Sequence, residues 1–152
     1  MRSAARFHPE VARYCIVPAA EVEIAQARLG SLAKVMAPPR KIKGVPDEMQ
    51  INVARVFMVT LPAEVVAYVD ADALFCRPAP ALFEVEKGRV NAVADAALQV
   101  SYNVSGEDRN HFEKQFPQTA FRRGFNSGVI SMVPADWPSL PELFEKAIPK
   151  EA

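Results

Sequence analysis

The stretch that most constrains what this chain can fold into is Val65-Val66-Ala67-Tyr68-Val69-Asp70-Ala71-Asp72-Ala73-Leu74-Phe75, an apolar run broken by two aspartates one residue apart. An apolar run without polar alternation predicts a strand covered on both faces, the habit of a parallel sheet lying between layers of helices. Ligands of such sheets gather at the carboxyl ends of the strands. Side chains at i and i+2 of an extended chain point the same way, so Asp70 and Asp72 can offer oxygens to one cation or one polar group. Hard carboxylate oxygens suit Mg²⁺ or Mn²⁺. The same pair also fits a plainer role, capping the next helix or sitting solvated in a turn.

The 152 residues are expected to form a single domain, 1–152, and a composition of 50% hydrophobic residues is enough for a sizeable core. Eighteen basic and eighteen acidic residues cancel. No general field then favours nucleic acid or an anionic membrane, and any phosphate site has to be local. No apolar segment approaches the roughly 20 residues needed to span a bilayer, and no apolar signal core follows the first arginines. A cytoplasmic location without a membrane span is the expectation. Cys15 and Cys76 lie beside apolar runs without metal-ligand spacing, which predicts buried free thiols.

Strands and helices are expected to alternate. Residues 2–13 suggest a helix interrupted by Pro9, and Tyr14–Val17 a short strand closed by Pro18. Residues 20–29 suggest a helix stopped by Gly30, and Leu32–Met36 the next strand. Pro38–Pro46 is expected to be a solvated basic loop. Asp47 is placed to cap a largely buried helix running to about Leu61, whose one charge past Gln50 is Arg55. An arginine there must reach a carboxylate, solvent or a phosphate.

Downstream, Val90–Asp95 suggests another strand ending in an acid, and the polar residues 99–123 a loop over a cleft. Gly124-Phe125-Asn126-Ser127-Gly128 is expected as a turn before an apolar strand, where backbone and amide can approach a ligand. Trp137–Ile148 has Leu140, Leu143, Phe144, Ala147 and Ile148 at the spacing of one apolar helix face. His111 has no partner at ligand spacing and is expected at the surface.

Two blocks carry a resemblance. Tyr68-Val69-Asp70-Ala71-Asp72-Ala73-Leu74-Phe75, followed by Pro80-Ala81-Leu82-Phe83-Glu84, resembles the strand, metal-binding Asp-x-Asp and Leu-Phe segment of family 8 glycosyltransferases, the glycogenin-like enzymes. Phe125-Asn126-Ser127-Gly128-Val129-Ile130 is similar to the Phe-Asn-(Ser/Ala)-Gly-Val segment found downstream in the same family. The likeness extends over residues 45–137, with the first 40 matching in outline. It implies an α/β fold with a mostly parallel sheet and helices on both faces, the Rossmann-like GT-A nucleotide-diphospho-sugar transferase type. The activity implied is metal-dependent transfer of a hexose from a UDP-sugar to a carbohydrate or other acceptor hydroxyl, with retention.

By the same resemblance, Asp70 and Asp72 would hold Mn²⁺ (or Mg²⁺), and Arg55, Asp70, Ala71, Asp72, Asp95, Asn126 and Ser127 would contact the nucleotide-sugar. Asp95 is equally suited to capping the next segment of chain, and no residue announces itself as a nucleophile. The family also has an earlier strand that helps hold the base, a later Asp-Gln segment and a late histidine. These are not found in the chain, which implies a fragment of a longer enzyme, incomplete at both ends, that would tend to self-associate. The alternatives are a degenerate, non-catalytic sugar-nucleotide binding or oligomerisation module, and a haloacid-dehalogenase-like phosphatase using Asp70 as nucleophile and Asp72 as acid-base. The phosphatase would want its aspartates on a first strand and a later pair of strand-end acids, which the residues after 100 do not offer.

Overall fold

A computed structural model describes residues 1–94, 109–110, 113–114, 117–120 and 125–148. They form a mixed α/β structure with strands β1 (Tyr14–Ile16), β2 (Lys34–Met36), β3 (Val66–Val69), β4 (Val90–Ala94) and β5 (Phe125–Met132). The α-helical segments α1 (Arg2–Phe7), α2 (Val22–Leu29), α3 (Gln50–Val53), α4 (Pro117–Ala120) and α5 (Leu140–Ala147) accompany them. None of the described helices is long and apolar enough to cross a membrane.

The strands make two small sheets. β1 and β2 run parallel, with Cys15 opposite Val35, and α2 supplies the crossover between them. Gly30 ends α2 at φ 54°, a left-handed backbone that suits glycine. Gln26 then ties helix to strand, its Nε2 donating to the carbonyl of Ala33 at 3.2 Å and its Oε1 accepting from the Val35 N–H at 2.9 Å. The second sheet has the order β3-β5-β4, antiparallel throughout, with a register shift between Ala92 and Val93. The mostly parallel sheet of the sequence expectation is not what the described strands make: they form one parallel and two antiparallel pairings. An unalternating apolar run tells how well a strand is covered and is silent on the direction of its neighbour. Even the cover is partial: Val66 is buried, and Ala67, Tyr68 and Val69 are half-buried.

Among the described residues, β1 and β3 each have a strand on one side only. Residues 13–16 and 65–72 line one and the same cavity, without skipping alternate positions. Because successive side chains of a strand point to opposite faces, an unbroken lining means that the cavity runs along both strand edges and not over one sheet face.

Two apolar clusters make the described core, and Leu140 touches both. In one, Ile42, Val56 and Phe57 pack with Val53, Phe144 and Ile148; in the other, Met58, Val66 and Met132 pack with Ile130 and Trp137. Ile42 corrects an expectation. It lies within the basic Pro38–Pro46 stretch and is the most buried apolar side chain described, at 1% exposure. The loop is pinned over it by Gln50, whose side chain accepts from the Ile42 N–H at 2.8 Å and donates to the Ile42 and Val45 carbonyls at 2.9 and 2.8 Å. Arg40 pairs with Glu142 and Glu145 of α5.

The segment expected as one capped α-helix is instead a relay: a 3₁₀ turn at Asp47–Met49, the single α-turn α3, and a 3₁₀ helix at Ala54–Thr60. Asp47 does not cap it; its carboxylate meets Lys41 at 2.7 Å. β-Branched Val53, Val56, Val59 and Thr60 are poor α-helix formers, and Thr60 bonds back to the Phe57 carbonyl at 2.8 Å. The expectation of burial holds, since Ala54, Val56, Phe57 and Met58 are buried. On α5, Leu140, Phe144 and Ile148 meet the core, whereas Leu143 (51%) and Ala147 are exposed. Of the cysteines, Cys15 is half-buried and Cys76 is exposed on a loop, where flanking Arg77-Pro78 keeps the chain at the surface.

Candidate functional site

β3 ends at Val69, and the chain turns there with the Ala73 N–H donating to the Asp70 carbonyl at 3.1 Å. Asp70 is half-buried and Asp72 exposed, so the strand delivers its two carboxylates to a rim. Pairing of β3 with β5 sets Val69 opposite Val129, and the ladder continues as the Asp70 N–H donates to the Gly128 carbonyl at 2.8 Å. Two sequence blocks more than fifty residues apart therefore meet along one antiparallel ladder, which the Asp70–Gly128 bond extends to the rim. Gly128 is buried at this junction.

The Phe-Asn-Ser-Gly block departs from the turn that its glycines predict ahead of a strand. Phe125, Asn126, Ser127 and Gly128 lie inside β5, with Phe125 and Asn126 paired to Ala94 and Val93 of β4. The register shift at Ala92/Val93 accommodates them, as a bulge does when it redirects a strand. Asp95 comes after β4 and lies outside the described residues, as do His111 and most of 99–123. Within that stretch, Pro117–Ala120 forms the helical turn α4.

Arg55 reaches the site from the 3₁₀ helix. Its guanidinium lies over the Tyr68 ring, 5.4 Å from the centroid, a cation–π arrangement that holds the cation beside the aspartates. Tyr68 in turn donates from its hydroxyl to Asp70 Oδ1 at 2.6 Å. Burial, reinforced by that hydrogen bond and by the charge of Asp70, pushes the Tyr68 phenol up to about 12, with Arg55 pulling the other way. The phenol thus remains a donor at neutral pH. Sequence reasoning misses Tyr68 and its bond, although position i−2 from Asp70 on an extended chain puts the two side chains on the same side.

Arg55, Tyr68, Asp70, Ala71, Asp72 and Gly128 all line the cavity between β1 and β3, whose volume is about 900 Å³. That is ample for a small organic ligand. The structure brings Arg55, Asp70, Ala71 and Asp72 of the expected set together there, and sets Asn126 and Ser127 in the strand leading to Gly128. Asp70 and Asp72 both line the cavity, and their hard carboxylate oxygens are of the kind that could hold a small divalent ion completed by water or ligand oxygens. No third His, Cys, Asp or Glu joins them among the described residues.

A second missed residue holds the far side. His8, at 7% exposure, accepts the Ala79 N–H on Nε2 at 3.0 Å and meets the rings of Phe75 and Phe83 edge-on at 5.4 and 5.5 Å. The Phe75 N–H donates to Ser3 at 3.2 Å. The amino-terminal segment thereby braces the loop beyond the aspartates. No protein-family model, characterised protein or solved structure matches the chain.

Proposed function

We propose that the chain is a glycosyltransferase domain of the family 8, glycogenin-like type, with the Rossmann-like GT-A architecture, moving a hexose from a UDP-sugar to an acceptor hydroxyl with retention. The observation that carries this reading is the convergence of Asp70, Asp72, Arg55 and Gly128, the last residue of the Phe-Asn-Ser-Gly block, on one cavity, joined by the Asp70–Gly128 backbone bond. Asp70 and Asp72 would hold Mn²⁺ (or Mg²⁺) against the diphosphate. Bound there, the ion would neutralise the charge that develops on the leaving diphosphate.

The protein's own groups divide the remaining work. Arg55 brings a positive charge to the cavity that the aspartates line, where a phosphate oxygen could meet it. Ala71, between the two ligands, has a side chain too small to crowd them. Asn126, Ser127 and Asp95 are assigned to the nucleotide-sugar, the first two because they directly precede Gly128, where their strand passes Asp70.

Thermal melting with Mn²⁺ and uridine or adenosine diphosphate tests the reading, since a ligand of the native state stabilises it by mass action. Uridine diphosphate with Mn²⁺ should raise the melting temperature most, and Asp72→Asn should abolish the rise. Stabilisation without turnover of a UDP-hexose in the presence of simple glycans would favour a non-catalytic binding module. Hydrolysis of a phosphomonoester would favour the phosphatase.

A further inference from the structure

We infer that His8 is a pH-sensitive latch on the cavity wall: on gaining a proton, it releases the loop at 75–83 from the amino-terminal segment. Only a ring nitrogen without a proton can accept a hydrogen bond, so the Ala79 N–H on Nε2 at 3.0 Å makes the latched ring neutral, with its proton on Nδ1. Protonation of Nε2 sets donor against donor. The bond is lost, and the new charge is left at 7% exposure beside the rings of Phe75 and Phe83, a costly place for it. Of the charged groups nearby, Glu10 faces Nδ1 at 3.8 Å and favours the proton; being exposed and on the same segment, it does so with the latch closed or open. Arg13 meets the His8 carbonyl at 3.1 Å, and Arg2 and Arg6 of α1 are exposed. Arg77 and Glu84, on the loop side, are exposed too, while Arg55, Asp70 and Asp72 line the cavity with His8.

The segment that His8 secures has little else to hold it. Helix α1 buries none of its 6 residues, and Ser3 adds one bond, from the Phe75 N–H at 3.2 Å. Segments with so few buried contacts open before the rest of a fold. Arg13 anchors the other end, donating from Nε to the Leu32 carbonyl at 2.8 Å and from Nη1 to the carbonyls of His8 and Val11 at 3.1 and 2.9 Å. The His8 backbone therefore stays beside β2, and it is the ring and the loop that part. Met1, Ala4 and His8 on one side and Phe75 and Phe83 on the other line the same cavity, so their separation widens it. Access is closed at neutral pH and open in mild acid, whatever the cavity binds.

The test is nuclear magnetic resonance of the full chain and its His8→Gln variant from about pH 8 to about pH 5, the range over which imidazoles change charge. At the upper end the ring nitrogens of the parent should report a proton on Nδ1. A proton on Nε2 would overturn the latch, and this measurement needs no substitution to fold. As pH falls, the Overhauser contacts of the His8 ring with Phe75 and Phe83 should vanish at the midpoint of the His8 titration. Across it the Ala79 amide, corrected for its intrinsic exchange rate, should lose roughly tenfold in protection, the worth of one hydrogen bond. His8→Gln keeps an acceptor and cannot titrate, so its Ala79 protection should stay level. A ring that takes up the proton with its contacts intact, a ring that stays neutral throughout, or an equal loss of protection in His8→Gln would each refute the proposal. None of these readings involves a metal or a nucleotide, so they stand or fall apart from the transferase assignment.

Discussion

At the scale of single residues, the chain shows how a site can depend on side chains that carry no chemistry of their own. His8 is buried, and its ring nitrogen accepts a backbone N–H from Ala79, 71 residues away. Removing the ring would leave that half-buried donor without its acceptor and withdraw two aromatic edges. His8→Ala is therefore expected to cost about 1–3 kcal/mol, read from urea unfolding. Gln at this position can present an acceptor to the same N–H, so His8→Gln should lose less. Nothing local announces this residue: a histidine before a proline in a polar opening segment reads as surface, and its partner is visible only once the chain is folded. Tyr68 differs, because its relation to Asp70 is encoded in strand periodicity. The extended spacing expected for Asp70 and Asp72 does not apply, because the chain leaves β3 at Val69 and turns between Asp70 and Ala73; what is legible from sequence is that both lie at the strand's end.

At the scale of elements, legibility tracks the span of the signal. Breakers and caps act over a few residues, so the end of β1 just ahead of Pro18 and of α2 at Gly30 can be read directly. Helix type in 47–60 and strand direction around β3 are decided by tertiary neighbours and cannot. The basic loop is the sharpest case, since one apolar residue among proline, lysine and arginine gives no periodicity to count. Ile42→Ala should destabilise by about 2–5 kcal/mol, as for other fully buried aliphatics, and chemical unfolding will measure it. Gly44 supports the same loop at φ 80°, where an added Cβ would come to 3.3 Å from Ile148, so Gly44→Ala should also destabilise.

The loop's tie to α5 has a pH signature. The Lys43 backbone N–H, then the Arg40 guanidinium, hold the Glu145 carboxyl below its ordinary 4.5, so the fold favours the ionised form. Its contribution is present above 4.5 and is lost as pH falls through the lowered folded value. Glu145→Gln should flatten the acid limb of stability against pH, seen in urea melts taken from neutral pH to about pH 3.

At the scale of the whole molecule, β1 and β3 each lack a second neighbour among the described strands while lining the same cavity, and such edges offer rows of backbone donors and acceptors able to pair with another chain. Self-association that grows with protein concentration is the expected result, and sedimentation velocity over a range of loadings will register it. A lysine placed inward on the β3 edge, as in Ala67→Lys, should suppress it. The same open edges bear on cooperativity. With no ladder common to the two sheets among the described strands, β1 and β2 share no hydrogen bonds with β3, β4 and β5, and neither apolar cluster contains a residue of β1 or β2. A unit tied to the rest by so little should open on its own, ahead of global unfolding. In native-state amide exchange, the Cys15 and Val35 amides should lose protection at lower denaturant than those of Ala67 and Ile130. Identical denaturant dependence for all four would mean that the sheets melt as one.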